Sequence, residues 1–344
     1  MPTMKTIAAE AGVSVMTVSL ALRNHPRISK ATRQRVQEVA ARLQYRSNPM
    51  VASLMTHIRS SRPLAYQANL AFLAENLQGI VAHPLFHSAY EGILKRAEEL
   101  GFLVDGFSLG EQGRHHGRLK KILEARNIQG IILAPLNEQG PLDGLDCSQW
   151  SVVALGNSVL SPRFHRVTHH QFHGMQLILE NLVRRGYRRI GLAIEAGVDD
   201  KVDRSWSSCM AGYHLRIPPR QRVPILLANL NSPALPQWLE KYRPDVVIGH
   251  NGLEWHLRQM DIRVPGDISF ACLSVFQNNE RGYSGLDQNW RLVGAAAVES
   301  VVAHIYRNER GIPASPKTVM LEGFWVDGVT APGPTRASRV SKPR

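Results

Sequence analysis

Four histidines, His165, His169, His170 and His173, fall within nine residues of one another, and imidazole is a side chain that binds Zn²⁺. No cysteine or carboxylate stands close enough in sequence to complete a tetrahedral set, and fourteen histidines make such clusters easy by chance. No metal and no cofactor are therefore expected. For covalent or acid–base chemistry the chain offers less. It has no glycine-rich phosphate loop, Gly-x-Ser-x-Gly elbow, His-Glu-x-x-His helix or paired-carboxylate signature. No catalytic residue is assigned, and the chain reads as a non-enzyme. What remains is charge that can meet phosphates. Residues 1–62 carry ten Lys/Arg against Glu10 and Glu38, a net of +8, and residues 333–344 add Arg336, Arg339, Lys342 and Arg344. Of the formal net charge of +13, about +1 is left for everything between. A basic segment on a near-neutral body is the charge pattern of a nucleic-acid-facing headpiece.

The elements that must position those charges are short helices. Ile7, Ala8 and Ala11 share one face of a first helix, and Gly12 suits a turn with positive φ. Ser14 can cap a second helix that returns Val18 and Leu22 to the first. A third begins at Ser29 and runs through Thr32, Val36, Val39, Ala40 and Leu43 at spacings of three and four. Asn48-Pro49 is a separate start signal, after which Val51, Leu54, Met55 and Ile58 form one apolar stripe. A helix that short needs a partner or a groove to be stable.

The pattern then alternates strand and helix. Strands are expected at Ala68–Ala74, Phe102–Val104, Gly130–Ala134, Val152–Leu155, Arg189–Ile194, Asp245–Gly249 and Ile268–Leu273. Helices are expected over Leu85–Leu100, Arg118–Arg126 and Leu177–Arg185. Alternating β and α units imply parallel sheets covered on both faces. The span is too long for one small sheet, so two Rossmann-like lobes are expected, with a ligand cleft at the carboxyl ends of the strands. Cys147, Cys209 and Cys272 are far apart and odd in number, which points to a reducing cytosol. No signal peptide and no run of about eighteen apolar residues is present, so the expectation is a soluble, cytoplasmic, nucleoid-associated protein.

Ala11-Gly-Val-Ser-x-x-Thr-Val-Ser19, Ile28-Ser-x-x-Thr-Arg33 and Leu43-x-Tyr-x-x-Asn48 followed by Leu54 stand in register. Over these segments the chain resembles the lactose/galactose repressor (LacI/GalR) family of bacterial transcription factors. Leu182-x-x-x-Gly186-Tyr-Arg-Arg-Ile190, Ala211-Gly-Tyr213 and Val264-Pro-Gly-Asp-Ile-Ser269 extend the resemblance into the body. It implies an all-α helix-turn-helix headpiece (1–46) and a hinge helix and linker (47–62). Beyond them it implies an α/β periplasmic-binding-protein-like core of two lobes (63–330). The first lobe is placed at about 63–160 plus 289–318 and the second at about 161–288 plus 319–330, with 331–344 a disordered basic tail. No leucine heptad supports a tetramerisation coil.

The resemblance also implies a function: a sequence-specific transcriptional repressor, binding a pseudo-palindromic operator in double-stranded DNA as a homodimer. A small sugar-like effector in the cleft would modulate it. The alternative is a soluble sugar-binding receptor on the same scaffold, which would need no basic headpiece. Base-edge readers by position are Val15, Met16 and Leu20. All three are apolar, where many relatives carry arginine at the position of Leu20, so readout should rest on thymine methyls and DNA shape. Thr3, Ser14, Thr17, Ser19, Arg23, Ser29, Thr32 and Arg33 are the expected phosphate-side contacts. Asn48 and Val51 belong to the hinge, and Leu54 is the residue that would wedge into the minor groove.

The effector region departs from the family. Cys209 stands where a ligand-gripping arginine is usual, with Arg204 and Trp206 nearby. Ser274-Val275 replaces an acidic pair, and His169-His170 replaces Asp-Asn. Candidate lining residues are Phe86, His87, Trp206, Cys209, His250, Ser274 and Gln288, an aromatic and hydrogen-bonding set suited to a sugar.

Overall fold

The structure, a computed structural model, describes residues 4–22, 25, 28–43, 68–109, 116–142, 144–276 and 281–333. The expected hinge segment 47–62 lies outside them.

At the N-terminus α1 (Met4–Ala11), α2 (Val15–Leu22) and α3 (Lys30–Arg42) pack on one another. Their apolar spacing buries Ile7, Ala8, Ala11, Val18, Ala21, Val36, Val39 and Ala40 in a small core. Gly12 makes the turn between α1 and α2 at φ +61°, backbone that a Cβ disfavours. Serine hydroxyls start the next two helices. The Ser14 Oγ accepts the Thr17 N–H at 3.0 Å, and the Ser29 Oγ accepts the Thr32 N–H at 3.2 Å. Each cap is worth about 1 kcal/mol.

The body is two six-stranded sheets. The first runs in the order β13 (Thr318–Leu321), β7 (His165–His169), β5 (Ser151–Leu155), β3 (Ile128–Leu133), β1 (Ala68–Ala74) and β2 (Phe102–Ser108). Every neighbouring pair in it is parallel. The second runs β14 (Phe324–Val326), β12 (Ser284–Asp287), β11 (Ser269–Cys272), β10 (Val246–Gly249), β8 (Ile190–Ile194) and β9 (Leu226–Leu227). It is parallel except for the β12–β14 pair. The central strands are buried almost throughout because helices cover both faces. Each sheet therefore separates two apolar clusters, one per face. On the first lobe one face is closed by α5 (Pro84–Glu99) and α12 (Trp290–Arg307), the most extensively packed pair among the described elements.

The chain passes between the lobes three times: after His169 into α7 (Gln171–Arg184), after Asp287 into α12, and after Leu321 into β14. Two expected boundaries move accordingly. β7 and β13 both belong to the first sheet, so that lobe extends past 160 to His169 and past 318 to Leu321. Neither could be placed from local pattern, because their membership is set by pairing with each other across the length of the second lobe. The expected tail also starts later than residue 331. Ala331 is buried and its N–H donates to Ser284 Oγ, while the Gly333 N–H donates to Tyr187 Oη. Residues 334–344 lie outside the described residues. Among the described residues no helix is long and apolar enough to cross a membrane.

Candidate functional site

Two regions gather the functional candidates. The first is the start of α2. Val15 and Met16 are 42 % and 74 % exposed, although the headpiece has an apolar core a turn away that could have taken them. The Ser14 cap explains the geometry. It fixes the first turn so that Val18 and Ala21 face inward and leaves Val15 and Met16 outside. Leu20 is half-buried. Thr17 and Thr32 pair their hydroxyls with Ser14 and Ser29 at 2.9 and 2.8 Å, so these four residues are capping groups first. Arg33 has a structural role beside the phosphate contact expected of it. Its guanidinium donates to the carbonyls of His25 and Ile28, both at 3.2 Å, closing the loop between α2 and α3. The third helix keeps Arg35 exposed, while Arg42 is paired with Glu10 on α1. Ser19 falls within α2. Thr3, Arg23, Asn48, Val51 and Leu54 lie outside the described residues.

The second region is a cavity of about 490 Å³ between the lobes at the carboxyl ends of the strands. Phe86, Trp206, His250, Ser274 and Gln288 line it. His87 does not. It is exposed on α5, with Nδ1 3.1 Å from the Val81 carbonyl and Nε2 3.5 Å from Glu91. Cys209 does not either. Trp206 is in the first turn of α9 (Ser205–His214), where the helix meets the cleft. Three residues on, the backbone has advanced about 4.5 Å, which sets Cys209 back among Met175, Leu179 and Met210. Burial pushes its thiol up to about 11.

Position in sequence missed His83, Gln171, Lys201, Phe276 and Trp290, all of which line the cavity. A signal existed for some of them. Gln171 and Trp290 each stand just past the end of a strand, where ligands approach parallel sheets. The first lobe contributes an aromatic wall. Phe86 stands edge-on to Trp290 at 5.5 Å between centroids and tilts against His83 at 5.1 Å. From the second lobe, Trp206 meets His250 at 5.2 Å.

Many polar groups of the lining are already paired. Ser158 Oγ accepts the Leu136 N–H, and Thr168 Oγ1 donates to the His169 carbonyl. Gln288 donates to the Leu273 carbonyl and accepts from Trp290 Nε1. In the lining, four buried side-chain atoms have no hydrogen-bond partner among the described residues: Gln171 Oε1, Trp206 Nε1, His250 Nε2 and Ser274 Oγ. Such atoms cost about 1–3 kcal/mol each unless something pairs with them, so they mark where a polar ligand or ordered water is needed. Burial, helped by the positive charge of Lys201 and by His83, holds His250 down to about 4, so it is neutral at pH 7. Lys201 bridges the lobes by donating to the Asn137 carbonyl at 2.9 Å, beside a bond from Gln139 Nε2 to Asp203 Oδ1 at 3.3 Å.

The histidine run does not converge. His165 stacks on His304 at 4.2 Å, His170 Nδ1 accepts the His173 N–H, and His173 pairs with Glu322. His165, His304 and Glu309 bring potential ligand atoms within 4.8 Å of one another. However, the two rings are stacked 9° from parallel, so their in-plane lone pairs do not meet, and an Arg307 guanidinium nitrogen stands 3.0 Å from His304 Nδ1.

Residues 3–48 match the description "Bacterial regulatory proteins, lacI family", and residues 179–326 match "Periplasmic binding protein-like domain". The chain is 27 % identical over 204 residues to the HTH-type transcriptional regulator CelR of Thermobifida fusca, covering 58 % of this chain and 57 % of that one. It is 26 % identical over 222 residues to GalR of Escherichia coli, covering 62 % and 58 %. The chain thus spans a little over half the length of these curated relatives. Two solved structures share the fold at 19 % identity and a TM-score of 0.55, each over 96 % of this chain. One is a transcriptional regulator CelR–cellobiose complex, of which 100 % is covered. The other, covered to 99 %, is a lac repressor dimer bound to operator and the anti-inducer ONPF.

Proposed function

We propose that this chain, whose N-terminal domain belongs to the lacI family of bacterial regulatory proteins and whose core is periplasmic-binding-protein-like, is a cytoplasmic transcriptional repressor acting on nucleoid DNA. As a homodimer it binds a pseudo-palindromic operator, and a small saccharide-type effector in the inter-lobe cleft adjusts its affinity. It acts by binding and not by catalysis.

One observation carries this reading. The capped first turn of α2 presents Val15 and Met16 to solvent on a domain with a net positive charge. In a helix-turn-helix that turn enters the major groove, where an apolar side chain reads the thymine methyl. The basic groups supply the sequence-independent attraction to phosphates. Leu54 would wedge a base step at the operator centre, where a flexible step lowers the cost of the kink. Effector binding favours one lobe arrangement over the other, and it can shift DNA affinity only by its differential affinity for the two.

Selection of bound sites from a random duplex library, with the full-length chain near physiological salt, tests the reading. A two-fold-symmetric site containing A·T pairs at the α2 contacts is expected. Salt-sensitive binding without sequence enrichment would remove it.

A second prediction separates readout from folding. Met16→Ala should leave stability within about 0.5 kcal/mol, as for other exposed positions. The same change should narrow the gap between operator and random duplex by about 1 kcal/mol, the low end for one base contact. Denaturant melts and competition binding measure the two effects. An equal loss on operator and random duplex would assign Met16 no part in reading bases.

A further inference from the structure

The body of the chain is near-neutral in sum but not in distribution. Residues 184–189, 215–222 and 240–245 carry nine Lys/Arg against Glu240 and Asp245, a net of +7. The body as a whole totals about +1, so the remainder of it is net acidic. The fold gathers the three segments at the amino ends of β8 and β10, the end of the second lobe opposite the cleft. Arg189, just ahead of β8, does most of the joining. Its guanidinium donates to the carbonyl of Arg220, to that of Tyr242 at the end of α10 (Ala234–Tyr242), and to that of Arg243 at 3.3 Å. The Asp245 carboxylate accepts the backbone N–H groups of Arg188 and Arg189 at 2.8 and 3.1 Å.

The backbone is thus tied down while the charges are left outside. Arg188, Arg216, Arg220 and Arg243 are exposed, and none of the four has a side-chain hydrogen bond or salt bridge among the described residues. Arg222 uses only its Nε, on the Ile217 carbonyl at 3.2 Å. Of the nine cations only Arg185 is in a salt bridge among the described residues, with Asp327. Like charges gathered on one face repel one another and lower stability until a partner of opposite sign meets them. Gly333 is anchored at the same end, its N–H donating to Tyr187 Oη at 3.1 Å. The sequence after it adds Arg336, Arg339, Lys342 and Arg344 with no acid.

The chemistry of the patch selects its partner. A protein interface has an apolar centre, and Leu215 is the one large apolar side chain exposed in the three segments. Eight of the nine cations are arginine, whose planar fork matches the oxygens of a phosphate. A duplex presents about one phosphate charge per 1.7 Å of its axis. We infer that the far end of the second lobe is a second, sequence-independent binding surface for double-stranded DNA, separate from the headpiece. The headpiece is joined to the other lobe, whose β1 starts at Ala68. The chain therefore holds one duplex at the headpiece and a second at this end, and bridges the two.

The test is a two-duplex capture. Full-length protein is loaded on an immobilised random-sequence duplex, washed, and offered a fluorescent duplex of unrelated sequence over a series of salt concentrations. The parent should capture the second duplex. A fourfold variant (Arg188→Gln, Arg216→Gln, Arg220→Gln and Arg243→Gln), confirmed folded by circular dichroism, should load on the first duplex within about twofold of the parent. It should capture the second at least tenfold more weakly, with a salt slope shallower by about 3, since each lost phosphate contact removes about 0.9. Lysine at the same four positions keeps the charge and should retain most of the capture. Equal capture by the glutamine variant would place the second duplex on the headpiece and overturn the inference, as would a parent that loads but captures nothing. Equal loss in the lysine variant would give the four arginines a structural role instead. Displacement of the second duplex by poly-L-glutamate at equal charge concentration would make the partner an acidic protein. A parent that does not load on the first duplex would overturn the repressor reading as well.

Discussion

Adding a single methyl group at Gly294 should destabilise the core by about 3 kcal/mol, lowering the melting temperature by roughly 10 °C. A Cβ built there lies 2.0 Å from the carbonyl oxygen of Ala89 on α5, and one on Gly92 lies 2.0 Å from the carbonyl oxygen of Arg291 on α12. Both obstacles are backbone, so no side chain can swing aside and the two helices must separate. Separation loosens the apolar layer around Val293, Val298 and Val301, all fully buried. Alanine's higher helix propensity, about 1 kcal/mol over glycine, offsets only part of this. Gly92→Ala should cost a similar amount. The double variant should cost clearly less than the two changes added together, because one separation relieves both clashes. Equilibrium unfolding of the three variants measures this, and strict additivity would mean that the two glycines do not report on one helix contact. The same shift should weaken ligand binding, since Trp290 is the first residue of α12 and lines the cleft.

His169→Leu should make the protein less sensitive to acid. His169 ends β7 at the first crossover, is 1 % exposed, and has neither ring nitrogen hydrogen-bonded among the described residues. It is wedged beside Gly174 of α7 and Gly323 of the third crossover, where an added Cβ would come within 2.4 and 2.8 Å of its ring. Burial holds it down to about 4, with the positive charge of His170 and His173 acting the same way and Glu322 and the Leu321 carbonyl acting against it. An unfolded histidine titrates near 6.5. Between those values the unfolded chain takes a proton that the native ring refuses, so stability falls as pH drops from 6.5 to 4. By pH 4 the loss from this one group is about 3 kcal/mol.

Leucine, of similar size and without polar atoms, removes that proton linkage. It also removes two unpaired nitrogens and should add about 1 kcal/mol or more at pH 7. Denaturant melts at pH 7 and pH 5 decide the matter. The parent should lose about 2 kcal/mol more over that interval than the variant. Equal losses would mean that His169 is not buried as a neutral ring.

Local chemistry made the headpiece readable. Gly12, Ser14 and Ser29 act within a turn of their own position, and the spacing of Ile7, Ala11, Val18 and Val36 contains the helix faces they bury. The buried central strands were legible for the same reason, as short runs of apolar residues between turns. The edge of the first sheet was not. β13 is four residues long and largely exposed, with three apolar residues too few to mark a strand, and it is a strand because of its ladder to β7.

The histidines of the run stand apart for a geometric reason. His165 and His169 lie at opposite ends of β7, where an extended chain sets them roughly 13 Å apart, and His165 finds its stacking partner at His304. Arg33 was expected to face a phosphate from its type and position, and only the structure shows that its Nη2 also donates to two nearby carbonyls.

The sequence by itself determined the kind of protein this is: a basic three-helix headpiece ahead of two parallel α/β lobes, with the cleft between them. Those features follow from turn chemistry, periodicity and charge, all set by residues close together in the chain. Only the tertiary structure decided which strands belong to which lobe and which polar atoms in the cleft are left without partners. Hydrogen-bond pairing joins residues that are distant in sequence. Gln288 is paired with Leu273 and Trp290, while the hydroxyl of Ser274 beside them has no partner among the described residues.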